Sequence, residues 1–199
     1  MVGLPCQVLA LTKMRTSSLK KKTPVERVGL VIGLFCTWAL EYKPFMTFLD
    51  KQIGSRSIEK LNISPPPERV LEVVAEGELH QIPVDGIRPY IRTSCQVCLD
   101  MTAELSDISV GTVEGIEGWN TVMVRTEMGE DLLRQAVSSD VIETQILPKD
   151  HMNHLKEASL LKKRRALNVL KEKGGIEKAY FALSTSLIKR ILSETEETP

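Results

Sequence analysis

The stretch "VGLVIGLFCTWAL", from Val28 to Leu40, is the longest apolar run in a chain of 199 residues. Its first part, Val28 to Phe35, is rich in Val, Ile and Leu, which is typical of a strand buried in a sheet. The whole run is too short to span a bilayer, and it contains two glycines. The sequence therefore predicts a buried strand here and no transmembrane segment.

Strand and helix patterns alternate on both sides of this strand. Pro5 is expected to begin a helix, because the N–H that proline lacks is not needed in a first turn. Further strands are predicted at residues 2–4, 57–63, 69–76, 79–84, 108–113, 121–126 and 141–146. Helices are predicted at residues 5–19, 38–53, 130–138, 150–173 and 176–192, with a kink or a break at Pro44. These patterns predict an α/β fold (mixed α+β), in which helices flank a mixed β-sheet and a helical segment ends the chain.

Length and charge limit the classes of function. The length suits one domain with a small appendage, and we predict a mixed α/β domain at residues 1–149 with a helical segment, residues 150–199, packed on it. Lys plus Arg number 26, as do Asp plus Glu, so the formal net charge is zero. This balance argues against a general binder of nucleic acid. The N-terminus lacks the features of a signal peptide, which indicates a cytoplasmic protein.

The four cysteines are the candidate ligands of a metal centre. Cys95 and Cys98 form a C-x2-C pair, a spacing that lets two thiolates bind one metal from a single loop. Cys6 and Cys36 each follow a glycine at the expected end of a strand, where ligands gather in mixed sheets. The alternative for Cys6 and Cys36 is a small buried apolar side chain. Spacing alone leaves zinc and an iron–sulfur cluster equally open.

Four stretches stand in this order along the chain: "GLPCQVLALTKM", "VGLVIGLFC", "RTSCQVCLDMTAELSDISVG" and "GWNTVMVRTEMGEDLL". Together they resemble the coenzyme F420 hydrogenase/dehydrogenase beta-subunit family, where F420 is a deazaflavin coenzyme. The resemblance extends from Val2 to the helix after Lys149. It implies a coenzyme F420-dependent oxidoreductase that carries FAD and a 4Fe–4S cluster. It also implies electron exchange with a hydrogenase, a formate dehydrogenase or another redox partner.

The resemblance also implies which residues form the site. It assigns the cluster to Cys6, Cys36, Cys95 and Cys98. Cofactor contacts are expected at Gly3, Pro5, Gln7, Asp107, Ser109, Gly111, Asn120, Arg125 and Thr126, whereas no catalytic residue is assigned. Gly111 would let a flavin approach the backbone, and the guanidinium of Arg125 would bind a flavin phosphate. The competing interpretations are an ordinary loop-to-strand junction at Gly111 and a surface charge at Arg125.

One departure from the family pattern bears on activity. Only Met1 and Val2 precede the "GLPCQ" stretch, whereas family members have a substantial segment before it. We therefore expect this chain alone to bind FAD weakly and to oxidise little reduced deazaflavin. Two other classes stay open: a non-catalytic interaction module that binds zinc through the four cysteines, and a cofactor-poor fragment of such a subunit.

The helix predicted at residues 150–173 contains a run of basic residues and a pair of histidines. The run "LKKRR", from Leu161 to Arg165, is expected to form a solvated helix face. A docking surface for an acidic partner subunit is the alternative. His151 and His154 lie three residues apart on the same helix, a spacing that suits a metal pair. No third ligand accompanies them in the sequence pattern, so we also predict a solvated position for these two histidines.

Overall fold

The computed structural model describes residues 1–18, 24–63, 69–113, 115–176 and 183–193. It divides the chain into two compact units. Unit 1 comprises Met1–Thr37 and Val97–Pro199, and unit 2 comprises Trp38–Gln96. The chain leaves unit 1 once and re-enters it once, so unit 2 is an insertion in unit 1.

The described ranges contain seven strands and seven α-helices. The strands are β1 (Val2–Gly3), β2 (Ile32–Leu34), β3 (Ile58–Ile63), β4 (Val70–Ala75), β5 (Glu78–Pro83), β6 (Ile108–Thr112) and β7 (Asn120–Val124). The helices are α1 (Pro5–Thr16), α2 (Tyr42–Ile53), α3 (Val84–Ile87), α4 (Thr93–Gln96), α5 (Glu127–Ser138), α6 (Lys149–Glu172) and α7 (Thr185–Ser193). Two short 3-10 helices span Val25–Arg27 and Arg88–Tyr90.

Unit 1 is built on a four-stranded mixed sheet with the order β1-β2-β6-β7. The first three strands are parallel, and β7 runs antiparallel to β6. Helix α1 forms the crossover between β1 and β2, as two parallel neighbours require. Its Val8 and Leu11, one helical turn apart, pack with Val25, Val31 and Ala103 in a buried cluster. This cluster fixes the position of β2 and of the loop that precedes β6.

Helices α6 and α7 form a second buried cluster of unit 1. Leu99 of the loop before β6 packs with Ala166 and Leu167 of α6 and with Ile191 of α7. Arg164 Nε donates to the carbonyl oxygen of Ile191 at 3.0 Å, which satisfies one backbone acceptor near the end of α7. In the described ranges, no helix has both the length and the hydropathy that crossing a bilayer requires.

Unit 2 is a three-stranded antiparallel sheet with the order β3-β4-β5 and with α2 packed on it. The alternate side chains of β4 are buried, as expected for a strand with one face on a core. Phe45, Leu49 and Ile53 recur every four residues along α2 and meet that face. Glu76 and Gly77 connect β4 to β5 with φ of 52° and 77°, the pattern of a type I′ hairpin turn.

The predicted fold class, a mixed α/β fold with flanking helices, is confirmed. Two elements are shorter than predicted: β2 begins at Ile32 rather than Val28, and α2 begins at Tyr42 rather than Trp38. Pro44 does not kink α2, because it lies in the first turn, where its missing N–H has no intrahelical partner to lose. The predicted boundary at residue 149 stays a prediction, although α6 begins there.

The strand predicted at residues 141–146 is wrong. Val141 and Ile146 are 72% and 94% exposed, and this segment has no strand partner in the described ranges. The predicted helix at residues 176–192 corresponds to α7, which begins only at Thr185. The predictions for residues 19–23, 64–68, 177–182 and 194–199 fall outside the described residues.

Candidate functional site

The loop after β2 and the loop before β6 meet in unit 1. Cys36 follows the C-terminal end of β2, and its N–H donates to the carbonyl oxygen of Met101 at 2.8 Å. Cys98 lies in the same second loop, and its Sγ donates to the carbonyl oxygen of Asp100 at 3.5 Å. The Cys36–Met101 hydrogen bond thus joins two cysteine-bearing segments of unit 1.

The remaining two cysteines lie on helices, Cys6 on α1 and Cys95 on α4. Cys6 is exposed near the start of α1, in unit 1. Cys95 belongs to unit 2, where its Sγ accepts the N–H of Ala39 at 3.4 Å. No disulfide joins any of the four cysteines, all of which are described.

The four cysteines are chemically suitable ligands for an iron–sulfur cluster, but they do not form a metal-binding group among the described residues. Four thiols, one of which accepts a backbone N–H, are the donor chemistry that iron–sulfur clusters use. Among the described residues, however, no three Cys, His, Asp or Glu side chains are placed to hold a metal ion together. The assignment of all four thiols to one cluster therefore stays a prediction.

Two predicted cofactor contacts bind each other. Asp107 Oδ2 accepts the N–H of Val31 at 2.8 Å, and Asp107 Oδ1 accepts the hydroxyl of Thr126 at 2.8 Å. Thr126 is the N-cap of α5, because its Oγ1 also accepts the N–H of Gly129 at 3.2 Å. Asp107 and Thr126 therefore fix the start of α5 against the sheet, whether or not they also contact a cofactor.

Ser109 of β6 and Arg125, which follows β7, are a second pair of predicted contacts that bind each other. Arg125 Nη2 donates to Ser109 Oγ at 3.2 Å and to the carbonyl oxygen of Thr102 at 3.1 Å. Ser109 is fully buried, so its hydroxyl is available only to protein groups or to an enclosed ligand. Of this pair, Arg125 lines a groove, whereas Ser109 does not.

The other predicted contacts have structural partners or are exposed. Gln7 Oε1 accepts the N–H of Leu4 at 2.8 Å and so caps α1, which Pro5 begins. A Cβ at Gly3 would lie 2.8 Å from Met1 Cε, and a Cβ at Gly111 would overlap the ring of Phe35. Asn120 is the exposed first residue of β7. All of these positions stay predictions as cofactor contacts.

A groove of about 870 Å³ lies in unit 1 between the loop before β6, the strand β7 and the helices α6 and α7. Its volume is in the range of sites for cofactors and other small molecules. Apolar side chains of α6 and α7 form much of the wall. Basic side chains exceed acidic ones in the lining: Arg125, Lys156, Lys163 and Arg190 against Asp100 and Glu104. The groove therefore suits a largely apolar ligand that carries negative charge.

Two polar atoms of this groove have no partner among the described residues: Asp100 Oδ1 and Arg125 Nε. Burial raises the pKa of the Asp100 carboxyl above its ordinary value, against the opposing effect of the Glu104 N–H, which donates to Oδ2 at 2.9 Å. An unpartnered buried polar atom costs about 1–3 kcal/mol. A ligand or an ordered water that paired with these atoms would recover that cost.

A smaller cavity of about 180 Å³ lies beside Cys36. His151 and His154 of α6 line it together with Phe35 and Met101. His151 is half-buried and His154 is exposed, so the predicted solvated position agrees with His154 and only in part with His151. In the part of the chain that is described, they form no group of metal ligands with a third residue.

The basic run at residues 161–165 is not the solvated face that its charge predicted. Lys162 is only 3% exposed, and its Nζ donates to the carbonyl oxygens of Cys36 and Asp100 at 2.6 and 2.7 Å. The sequence does contain a signal: Ala158, Ala166 and Leu170 lie at multiples of four residues from one another and place Lys162 on the apolar side of α6.

Comparison with known proteins gives one family and several relatives. The sequence profile for the C terminus of the beta subunit of coenzyme F420 hydrogenase/dehydrogenase matches residues 1–150. The chain is 28% identical over 169 residues to the coenzyme F420 hydrogenase subunit beta of Methanothermobacter thermautotrophicus, which covers 83% of this chain and 59% of the relative. It is 30% identical over 166 residues to the subunit of the same name from Methanococcus voltae, over 82% of this chain and 59% of the relative.

A solved structure agrees in fold. A chain of the F420-reducing [NiFe] hydrogenase complex from Methanosarcina barkeri superposes with a TM-score of 0.78 at 26% identity. The match covers 89% of this chain and 62% of that chain. The chain described here thus spans about three fifths of the length of the hydrogenase subunits it matches.

Proposed function

Because the chain belongs to the family of coenzyme F420 hydrogenase/dehydrogenase beta subunits, whose C-terminal part matches residues 1–150, we propose that it is an electron-transfer subunit for coenzyme F420. In this proposal the chain takes part in oxidising or reducing the coenzyme in the cytoplasm. Its redox partner is a hydrogenase, a formate dehydrogenase or another oxidoreductase.

The observation that carries the proposal is the groove beside Arg125. Flavins and deazaflavins combine a flat, largely apolar ring with an anionic tail. The apolar side chains of α6 and α7 suit the ring, and Arg125, Lys163 and Arg190 suit the anionic part. The unpartnered Asp100 Oδ1 and Arg125 Nε offer one acceptor and one donor for the polar atoms of such a ligand.

The cofactors would divide the chemistry between them. When bound, a flavin converts a transferred hydride into single electrons, and a 4Fe–4S cluster accepts electrons one at a time. The residues of this chain would bind and orient: Arg125 would hold an anionic group, and the helices α6 and α7 would exclude water from the ring. We propose Cys6, Cys36, Cys95 and Cys98 as the cluster ligands, on the basis of their donor chemistry and of the resemblance in sequence.

Ligand titration tests the proposed groove. FAD and coenzyme F420 are titrated separately into the 199-residue chain, with fluorescence as the readout. Arg125→Met should weaken binding of at least one of them by about tenfold or more, since a hydrogen bond to a charged group contributes roughly 1.5–3 kcal/mol. Arg134→Met is the matched control, because Arg134 is an exposed arginine of α5 that pairs with Glu130 and Asp131.

Two results would contradict the proposed groove. One is that neither molecule binds to the wild-type chain even at millimolar concentration, since only weak binding is expected of this chain alone. The other is that Arg125→Met and Arg134→Met bind equally well, which would place the ligand away from the groove.

Metal analysis tests the proposed cluster separately. Protein purified without oxygen should contain about four irons and four acid-labile sulfides per chain, as a 4Fe–4S cluster requires. Cys98→Ser should lose most of the iron, because the cluster would lack one of its four thiolate ligands. Stoichiometric zinc without acid-labile sulfide would contradict the cluster and would favour the zinc-binding interaction module.

A further inference from the structure

Lys162 is a buried lysine that joins two loops. Its Nζ donates to the carbonyl oxygen of Cys36, which follows β2, and to that of Asp100, in the loop before β6. Both distances, 2.6 and 2.7 Å, are short for hydrogen bonds from nitrogen to oxygen. The same two loops are also joined directly by the N–H of Cys36, which donates to Met101 at 2.8 Å.

The next residue of α6 strengthens this connection. Lys163 Nζ donates to the carbonyl oxygen of Leu99 at 3.1 Å and pairs with the carboxylate of Glu104. Two consecutive lysines therefore bind two consecutive carbonyl groups, those of Leu99 and Asp100, immediately after Cys98. The helix α6 thus holds the cysteine-bearing loop at several points, of which the Lys162 contact is the buried one.

A buried ammonium is costly, so its contacts indicate a specific requirement. Desolvating a charged group is unfavourable unless hydrogen bonds compensate for the lost water. A Leu or Met at position 162 would match the neighbouring Ala166 and Leu170 of the apolar side of α6 and would avoid that cost. Such a side chain, however, would remove the Lys162 donor from the carbonyl groups of Cys36 and Asp100.

We propose that Lys162 is a positioning residue for the thiols of Cys36 and Cys98. It fixes the separation of the two loops that carry them, and it places a positive charge at the main chain beside both. This inference rests on the proposed function, in that these thiols hold a redox centre. It goes beyond that function by naming a residue on α6, outside the family-matched residues 1–150, that shapes the centre without contacting it.

Amide hydrogen exchange tests the positioning without any cofactor. In the full chain, Lys162→Met should accelerate exchange of the Cys36 amide by about tenfold or more relative to wild type. The amide of Arg125, which donates to Asp107 at 2.9 Å in the same unit, is the internal reference and should change little. Lys171→Met is the matched control, because Lys171 is an exposed lysine of the same helix.

Two further variants separate positioning from general stability. Lys162→Arg keeps a charged donor and should restore most of the protection of the Cys36 amide. If Lys162→Met does not fold, Lys162→Gln, which keeps two N–H donors, takes its place and should show an intermediate effect. Unchanged exchange at Cys36, or equal acceleration at Cys36 and Arg125, would overturn the proposal.

The reduction potential provides a readout that a purely structural role would not move. After reconstitution with ferrous iron and sulfide, Lys162→Met should have a more negative potential than wild type, since a lost positive charge disfavours the added electron. Lys162→Arg and Lys171→Met should stay close to wild type. If the wild type and these three variants all have the same reduction potential, the proposed electrostatic effect of Lys162 is overturned. If no protein takes up iron, the proposed cluster fails, and the exchange experiment still decides the positioning.

Discussion

At the scale of single residues, close packing in unit 1 depends on glycines that leave no room for a side chain. A Cβ at Gly33 would overlap Ala103 Cβ and lie 2.8 Å from Ser106 Oγ. Ala103 is fully buried and has a φ of 53°, so its backbone is already in a restricted conformation and has little freedom to move. Gly33 therefore allows β2 to lie against the loop that carries Cys98.

We predict that Gly33→Ala destabilises the chain by about 1–3 kcal/mol, the usual cost of adding a methyl group to a packed interior. Gly29→Ala is the control, because a Cβ at Gly29 meets nothing within 4 Å. Urea unfolding measures both free energies. If both variants unfold at the same urea concentration as the wild type, the inference that Gly33 is closely packed is wrong.

At the scale of elements, the end of α5 shows how a cap overrides local strand propensity. The N–H of Val141 donates to the carbonyl oxygen of Ala136 at 3.0 Å, and the N–H of Asp140 donates to that of Val137 at 3.1 Å. These two bonds form a Schellman motif, in which Asp140 takes the left-handed position with a φ of 53°. The β-branched residues that follow predicted a strand, but the motif directs them into solvent.

The left-handed position of Asp140 gives a prediction about this helix end. Asp140→Gly should stabilise the chain relative to Asp140→Ala by about 1 kcal/mol, because only glycine adopts a positive φ without a Cβ penalty. Both variants remove the carboxylate, so their difference reports the backbone conformation alone. Thermal unfolding followed by circular dichroism measures it. Equal stability of the two variants would contradict the left-handed cap.

The sequence predicts elements well where a local pattern decides them. The β4–β5 hairpin follows from alternating apolar residues around a glycine turn, and α6 follows from its apolar spacing. Lys162 is buried although its charge predicts exposure, because its neighbours on that face of α6 are apolar. The β-branched residues at 141–146 predict a strand that does not form, because propensity does not reveal whether a pairing partner exists.

At the scale of the whole molecule, the sequence did not predict the division into two units. The strands β1 and β6 lie in one sheet, whereas β3, β4 and β5 form another. Local patterns contain no information about which strands pair across such long separations. The assignment of the cysteines has the same limit, since only the fold decides that Cys95 belongs to unit 2 and Cys98 to unit 1.

The architecture of unit 2 predicts that residues 38–96 fold without the rest of the chain. Its core is self-contained, because the buried cluster around Leu49 and Val73 uses only its own residues. Its two ends are held together by the bridge between Leu40 and Ile91 and by the N–H of Arg92, which donates to Ala39 at 2.9 Å. Adjacent ends are typical of domains that are inserted into another domain.

A peptide of residues 38–96 should therefore show a cooperative urea transition, with modest stability because a domain of about 60 residues buries only about 60% of its surface. In the peptide, Leu49→Ala should abolish the transition, since truncating a fully buried leucine lowers the free energy of unfolding by about 2–5 kcal/mol. Leu61→Ala is the control, because Leu61 is 44% exposed on β3, and it should leave the transition nearly unchanged. Circular dichroism follows both variants, and a wild-type peptide with a random-coil spectrum at low temperature would show that unit 2 does not fold alone.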